Sequence, residues 1–153
     1  MKFKLVEENR FNRTNRKKLP NIEKADLLTF DEAKKLPKSL LRCGKWWWLK
    51  TPGRRDGYTT TVLDDGSVDG TGLDVDAVGV IVRPVLRLTN LNDYSVGKDF
   101  KFGGYWFRIV DECMALCLDN LGFHSFDESS NNYEESLIKS FIDRWFKKSQ
   151  IKN

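Results

Sequence analysis

One hundred and fifty-three residues suffice for one domain, or one domain with an arm. A hydrophobic fraction of 40% supports a core, and 11 Gly with 4 Pro are too few for a disordered chain. The net charge of +4 is concentrated in a basic head: residues 1–18 carry seven Lys and Arg against Glu7 and Glu8, leaving a net −1 for the other 135 residues.

The head opens with a candidate edge strand at 2–6, and Glu7 and Glu8 follow at once, so no signal peptide is expected. Arg10, Arg13, Arg16, Lys17 and Lys18 lie among Asn9, Asn12 and Asn15, which disfavour helix and strand. This segment reads as a basic arm, able to neutralise nucleic-acid phosphates or to meet an acidic partner, or else as a solvated tail. Residues 29–36 are predicted to form a helix with a Thr29–Glu32 capping box, stopped by Pro37. Residues 45–50, 59–63 and 78–88 read as strands, with Asp64-Asp65-Gly66 as a tight turn. A polar connection, 89–99, leads to strands at 100–111 and 115–118. Asn132 is expected to cap a last helix, whose apolar stripe is Leu137, Ile138, Phe141, Ile142 and Trp145. Short strands with two helices predict an α+β domain over 19–153. The longest aliphatic run, 77–82, is far too short for a bilayer, and three cysteines cannot all pair, so a soluble, reduced, cytoplasmic chain is expected.

Trp47-Trp48-Leu49-Lys50-Thr51-Pro52-Gly53 resembles the Trp-Trp-Leu-Arg-Ser-Pro-Gly hallmark of a large family of bacterial and phage domains. Val82-Arg83-Pro84-Val85-Leu86 resembles its second hallmark, Gly-Val-Arg-Pro-Ala-Leu. The Asp-Gly hairpin at 59–68, the segment 103–111 with Trp106, and the helix 133–146 with Ser136 and Trp145 resemble further parts of the family. Lys50, Thr51 and Ile81 depart from the pattern, where the family has Arg, Ser and Gly. The resemblance covers residues 27–148 and implies a C-type-lectin-like fold, akin to that of formylglycine-generating enzymes. The family places the Trp106-type hairpin and its helix before the Trp-Trp motif, and here the order is reversed. The resemblance therefore implies a circular permutation, with halves 27–88 and 100–148 exchanged and 89–99 as the joining loop. Strand 78–88 should then pair antiparallel with 100–111. The length of the join favours a monomeric core over a swapped dimer.

Asp65, Ser67, Asp69, Gly70 and Asp76 fall at positions 1, 3, 5, 6 and 12 of a calcium loop, although position 12 wants Glu and position 8 is Gly72. Asp-Gly turns explain most of the same residues. The sugar-binding triplets of calcium-dependent lectins, Glu-Pro-Asn and Gln-Pro-Asp, do not occur. Cys43, Cys113, Cys117 and His124 could draft a zinc site, but no Cys-x-x-Cys knuckle supports it, and Cys113 and Cys117 in a strand stand ~13 Å apart. The copper-holding cysteine pair of formylglycine-generating enzymes is not carried over, because the surrounding motifs are not recognisable. His124, the single histidine, reads as part of a surface loop rather than a triad, and no phosphate loop, dinucleotide fingerprint or His-Glu-x-x-His occurs. A non-enzyme without cofactor or metal is expected.

Trp46, Trp47 and Trp48 alternate faces in a strand, so one face meets the core and the other needs a cover. Arg83 is expected to stack on a tryptophan or pair with a buried acid. Lys50, Arg54, Arg55 and Arg87 could form a basic surface beside the aromatic strand. The resemblance implies a display scaffold with variable loops at 52–58, 64–76 and 120–132. The expected function is a protein-binding module inside a bacterial cell, of phage or mobile-element origin, inhibiting a host defence nucleoprotein such as a CRISPR effector. Arg54, Arg55, Tyr58 and the arm cations are the candidate contacts. Nucleic-acid binding through the arm and calcium-dependent ligand binding are the alternatives.

Overall fold

The computed structural model describes residues 18–152. The basic head up to Lys17, with Arg10, Arg13, Arg16 and the candidate strand at 2–6, lies outside the described residues, and Lys18 is exposed. The elements in chain order are β1 (Asn21–Asp26), α1 (Phe30–Lys34), α2 (Lys38–Leu41), β2 (Trp47–Pro52), β3 (Tyr58–Val62), β4 (Val68–Asp74), β5 (Val85–Asn90), β6 (Asp99–Phe102), β7 (Tyr105–Asp111), β8 (Met114–Cys117), a 3-10 turn (Tyr133–Glu135) and α3 (Leu137–Lys152). The fold is α+β. One antiparallel sheet runs β1-β5-β8-β7-β6 and the other runs β2-β3-β4.

Local signals act as the sequence predicts at α1. Thr29 accepts from the Glu32 amide at 3.1 Å, and Glu32 accepts from the Thr29 amide at 2.9 Å. The helix 29–36 is shortened to Phe30–Lys34, and Pro37 opens a second turn, α2, that the sequence does not predict. The last helix also starts later than expected. Asn132 caps the 3-10 turn, and Ser136 Oγ accepts from the Lys139 amide at 3.1 Å to open α3.

Two cores sort by the period of two along each strand. Trp48, Val80, Val82, Leu86, Ala115 and Cys117 enter the first, with Phe100, Phe107, Phe126 and the α3 residues Ile138 and Ile142. Trp47, Leu49, Ile81, Val85 and Leu116 enter the second, with Leu28, Ala33 and Leu41. Neighbouring residues therefore face opposite cores, and the segment 80–82 is shared between them. Its Ile81 amide donates to Trp46 O at 2.9 Å, and its Val82 amide donates to Gly122 O at 3.0 Å. Burying Trp47 and Trp48 completely removes roughly 200 Å² of largely apolar surface each, roughly 5 kcal/mol of transfer free energy apiece.

Two strand expectations are corrected. Residues 78–88 are not one strand: 80–82 bridges β2 and the 121–124 segment, and the regular ladder begins at Val85. Pro84 has no N–H for a ladder and breaks the run there. Nor does 78–88 pair with 100–111. Gly103 and Gly104, with φ of +61° and +90°, fold the latter into the β6–β7 hairpin, so β7 is already flanked by β6 and β8. β5 joins the free edge of β8 instead, through Val85↔Leu116, Leu86↔Ala115 and Arg87↔Met114. β5 and β6 are thus separated by two strands. Residues 91–98 cross the end of the β7–β8 hairpin between them, with Gly97 N donating to Ile109 O at 2.8 Å. The segments before and after 89–99 meet instead in the β5–β8 ladder.

Candidate functional site

Parts of the three predicted loop segments, 53–58, 71–76 and 126–132, meet on one rim, whereas the 64–67 turn lies at the far end of the β3–β4 hairpin against Lys38 and 121–124 bonds to 80–82. Gly53 leaves β2 so close to β4 that a Cβ there would collide with the Thr71 carbonyl oxygen, which is why glycine follows Pro52. Arg54 N donates to Thr71 O at 3.2 Å, and Val75 N donates to Gly57 O at 2.8 Å. The third loop arrives through Phe126 N and Asp127 N, both donating to Val75 O at 2.9 and 3.1 Å. Asn131 closes the arrangement: its Nδ2 donates to Tyr58 O at 2.9 Å and to Arg55 O at 3.4 Å. Asp127 holds its own loop by accepting from the Ser129, Ser130 and Leu137 amides at 3.1, 2.8 and 3.1 Å. Burial would raise the Asp127 carboxyl, but these amides outweigh it and hold it below its ordinary value. Arg54 and Arg55 stand exposed on the rim, the Arg55 guanidinium 5.3 Å over the Tyr58 ring.

A hollow of about 380 Å³ opens beside the rim, lined in part by Thr29, Lys50, Pro52, Asn131 and Tyr133. Behind it lies an ionic network joining β1, α1, β2 and β5. Asp26, 3% exposed, accepts from Lys50 Nζ at 2.9 Å and Arg87 Nε at 3.0 Å through one oxygen, and from the Leu27 amide at 2.9 Å through the other. Arg87 also forks onto Glu32 at 2.7 and 3.0 Å. Burial alone would raise Asp26 and Glu32. The hydrogen bonds and charges of Lys50 and Arg87 at Asp26, and the bonds of Arg87 and Thr29 at Glu32, hold both below their ordinary values. Burial, with the Asp26 charge behind it, pushes the Tyr133 phenol up. Two cations meet two carboxylates, so the network is neutral and its evident role is to lock elements together.

The sequence expectations separate accordingly. Arg54, Arg55 and Tyr58 come together on the rim. Lys50 and Arg87 do not join them as a basic surface, because Asp26 and Glu32 neutralise both. Trp47 and Trp48 cover both faces of β2 internally, donating to Leu41 O at 3.0 Å and His124 O at 2.7 Å. Arg83 lies 4.7 Å over the Trp47 ring and donates to Cys117 O, Leu40 O and Leu41 O. Pro84 is buried, Trp145 is half-buried against Phe102, Tyr105 and Phe107, and Trp106 is 52% exposed.

The calcium loop is corrected, because strand β4 runs through its middle. Asp65 accepts from the Ser67 amide, Asp69 accepts from the Thr71 amide, and Asp76 is paired with Asp74, whose hydrogen bond and charge raise it. Among the described residues no three His, Cys, Asp or Glu gather as a metal site, so the zinc draft is not assembled either. Cys43 and Cys113 are exposed and Cys117 is buried, its thiol pushed up to about 11 by that burial. His124 lies in a loop, half-buried, with its ring stacked on Phe141 at 4.5 Å. No helix among the described residues is long and apolar enough to cross a membrane. Sequence reasoning missed Asn131, Asp26 and the Arg87–Glu32 fork, whose side-chain contacts reach 24 to 76 residues along the chain.

No protein family, curated protein or solved structure matches the chain.

Proposed function

We propose that the chain is a non-catalytic protein-binding module whose contact surface is the rim of residues 53–58, 71–76 and 126–132. The observation that carries this reading is the backbone locking of three loops from both halves of the sequence: Asn131 binds the Arg55 and Tyr58 carbonyls, and Thr71 and Val75 hold the remaining contacts. A rim fixed by backbone bonds leaves the side chains of Arg54, Arg55 and Asp56 outward, and pre-organised contacts lose less entropy on binding. Arginine paired with tyrosine is also a favoured composition for binding hot spots. In its finer form the proposal is a half-exchanged lectin-type scaffold of phage or mobile-element origin, acting on a host defence nucleoprotein. The Trp47–Gly53 and Val82–Leu86 motifs support that form, while the two strands standing between β5 and β6 count against the join.

The test is affinity capture from bacterial lysate with the full chain and two variants. One carries Arg54→Glu and Arg55→Glu; the other replaces Arg10, Arg13, Arg16, Lys17 and Lys18 by serine. A partner retained by the wild type and the head variant, and lost by the rim variant, is expected. A partner lost with the head and kept without the rim arginines would reject the reading.

A further inference from the structure

A second groove, of about 420 Å³, lies between α2 and the outer side of β7 and β8, apart from the rim. Arg42, Arg83 and Arg108 line it with Leu40, Cys43 and Leu118, and none of its lining residues is acidic. Arg83 is 2% exposed and makes no contact ion pair among the described residues; carbonyl oxygens and the Trp47 face hold it, and the charge of Asp119 reaches it from beside Leu118. A guanidinium set in a low-dielectric wall projects its field into the opening more strongly than a solvated one. Arg42 is exposed at the mouth and makes no ion pair among the described residues, while Arg108 shares its charge with Asp99 at 2.8 and 3.0 Å.

Beside this groove sits Trp106, 52% exposed. It shares the outward face of β7 with Arg108, stands directly opposite Lys101 on β6, and its carbonyl accepts from the groove residue Leu118 at 2.8 Å. Lys101 beside the open indole and Arg42 in the groove are thus the exposed cations without an ion pair among the described residues here, and the neutral Arg108–Asp99 pair shares the strand face with Trp106. We infer that this strand face and groove bind single-stranded nucleic acid, with a base stacked on Trp106 and neighbouring phosphates at Lys101 and Arg42. An acidic peptide would satisfy the cations, but its charged residues bring no ring to the indole, whereas every nucleotide carries one. The single strand supplies both charge and a π-face, at a spacing set by its own backbone.

The probe is a fluorescein-labelled deoxythymidine strand of about 12 nucleotides, within the usual site sizes of such binders. It is titrated into the full chain, with anisotropy and tryptophan quenching as readouts. Trp106→Ala is expected to weaken binding roughly 5- to 100-fold, and Arg42→Ala to lower the slope of log affinity against log salt by about 0.7. Both positions are exposed, and unchanged thermal melts confirm intact folding. The rim variant Arg54→Glu/Arg55→Glu is expected to bind as the wild type does, so this inference and the rim reading fail separately. Wild-type affinity in both Trp106→Ala and Arg42→Ala would overturn the inference and assign any binding to the basic head. Equal competition by poly-glutamate would overturn it in favour of an acidic-peptide surface, and absence of binding would overturn it outright.

Discussion

Asp26→Asn tests the ionic network with almost no change of shape. The substitution removes one charge from a site 3% exposed, where Lys50 and Arg87 both converge on one oxygen. Deleting one partner of a buried pair costs ~3–5 kcal/mol. Here Lys50 is 23% exposed and Arg87 retains Glu32, so about 2–3 kcal/mol is expected after discounting for solvent. The pH dependence fixes the origin of that loss. Asp26 lies below its ordinary value of 3.8, so its contribution is present above pH 3.8 and disappears as pH falls through the folded-state value. Glu32, lowered from 4.5, behaves the same way. Urea unfolding followed by tryptophan fluorescence should therefore show a large gap between wild type and variant at pH 7, closing as the pH approaches 2. A gap below about 0.5 kcal/mol at pH 7, the scale of an exposed pair, or one independent of pH, would refute the assignment.

Four further outcomes follow from particular contacts. Gly103→Ala places a Cβ against Ser149 Oγ and the Trp145 ring at a positive φ, and should cost about 2–4 kcal/mol in the same assay; Gly104→Ala, with open space around it, should cost only about 1–2. Thr61 buries a hydroxyl with no partner among the described residues, so Thr61→Val should raise stability by about 1 kcal/mol in thermal melts. Asn131→Ala should lower global stability by about 1 kcal/mol and speed amide exchange at residues 54–58. Cys43 and Cys113 should alkylate in the native state at pH 8, whereas Cys117 should react only on unfolding, as mass spectrometry of the peptides would show.

What the sequence makes legible is local. The capping box of Thr29 and Glu32, the turn at 64–66, the opposite facing of Trp47 and Trp48, and the apolar stripe of α3 from Ile138 to Trp145 all depend on residues a few positions apart, although Leu137, expected in that stripe, is 45% exposed. β1 escapes notice because Glu23, Lys24 and Asp26 interrupt its apolar pattern; only its pairing with β5 makes it a strand. The strand 78–88 misleads because its β-branched residues fit either core, and the break comes from Pro84. Gly103-Gly104 is a legible hairpin signal whose consequence is topological: folding β6 onto β7 leaves β8 as the edge that receives β5. The rim is the least legible part. Its loops were recognisable singly, but the bonds that join them run from side chains and amides to backbone carbonyls, which any residue type provides.

The rim is tested most directly by site-specific photocrosslinking in bacterial lysate. A photoreactive residue replaces Asp56 on the rim in one form of the full chain, and Glu112 at the β7–β8 turn in another. A discrete protein adduct from position 56, with none from position 112, is the predicted result. Adducts from position 112 with none from position 56 would contradict the account.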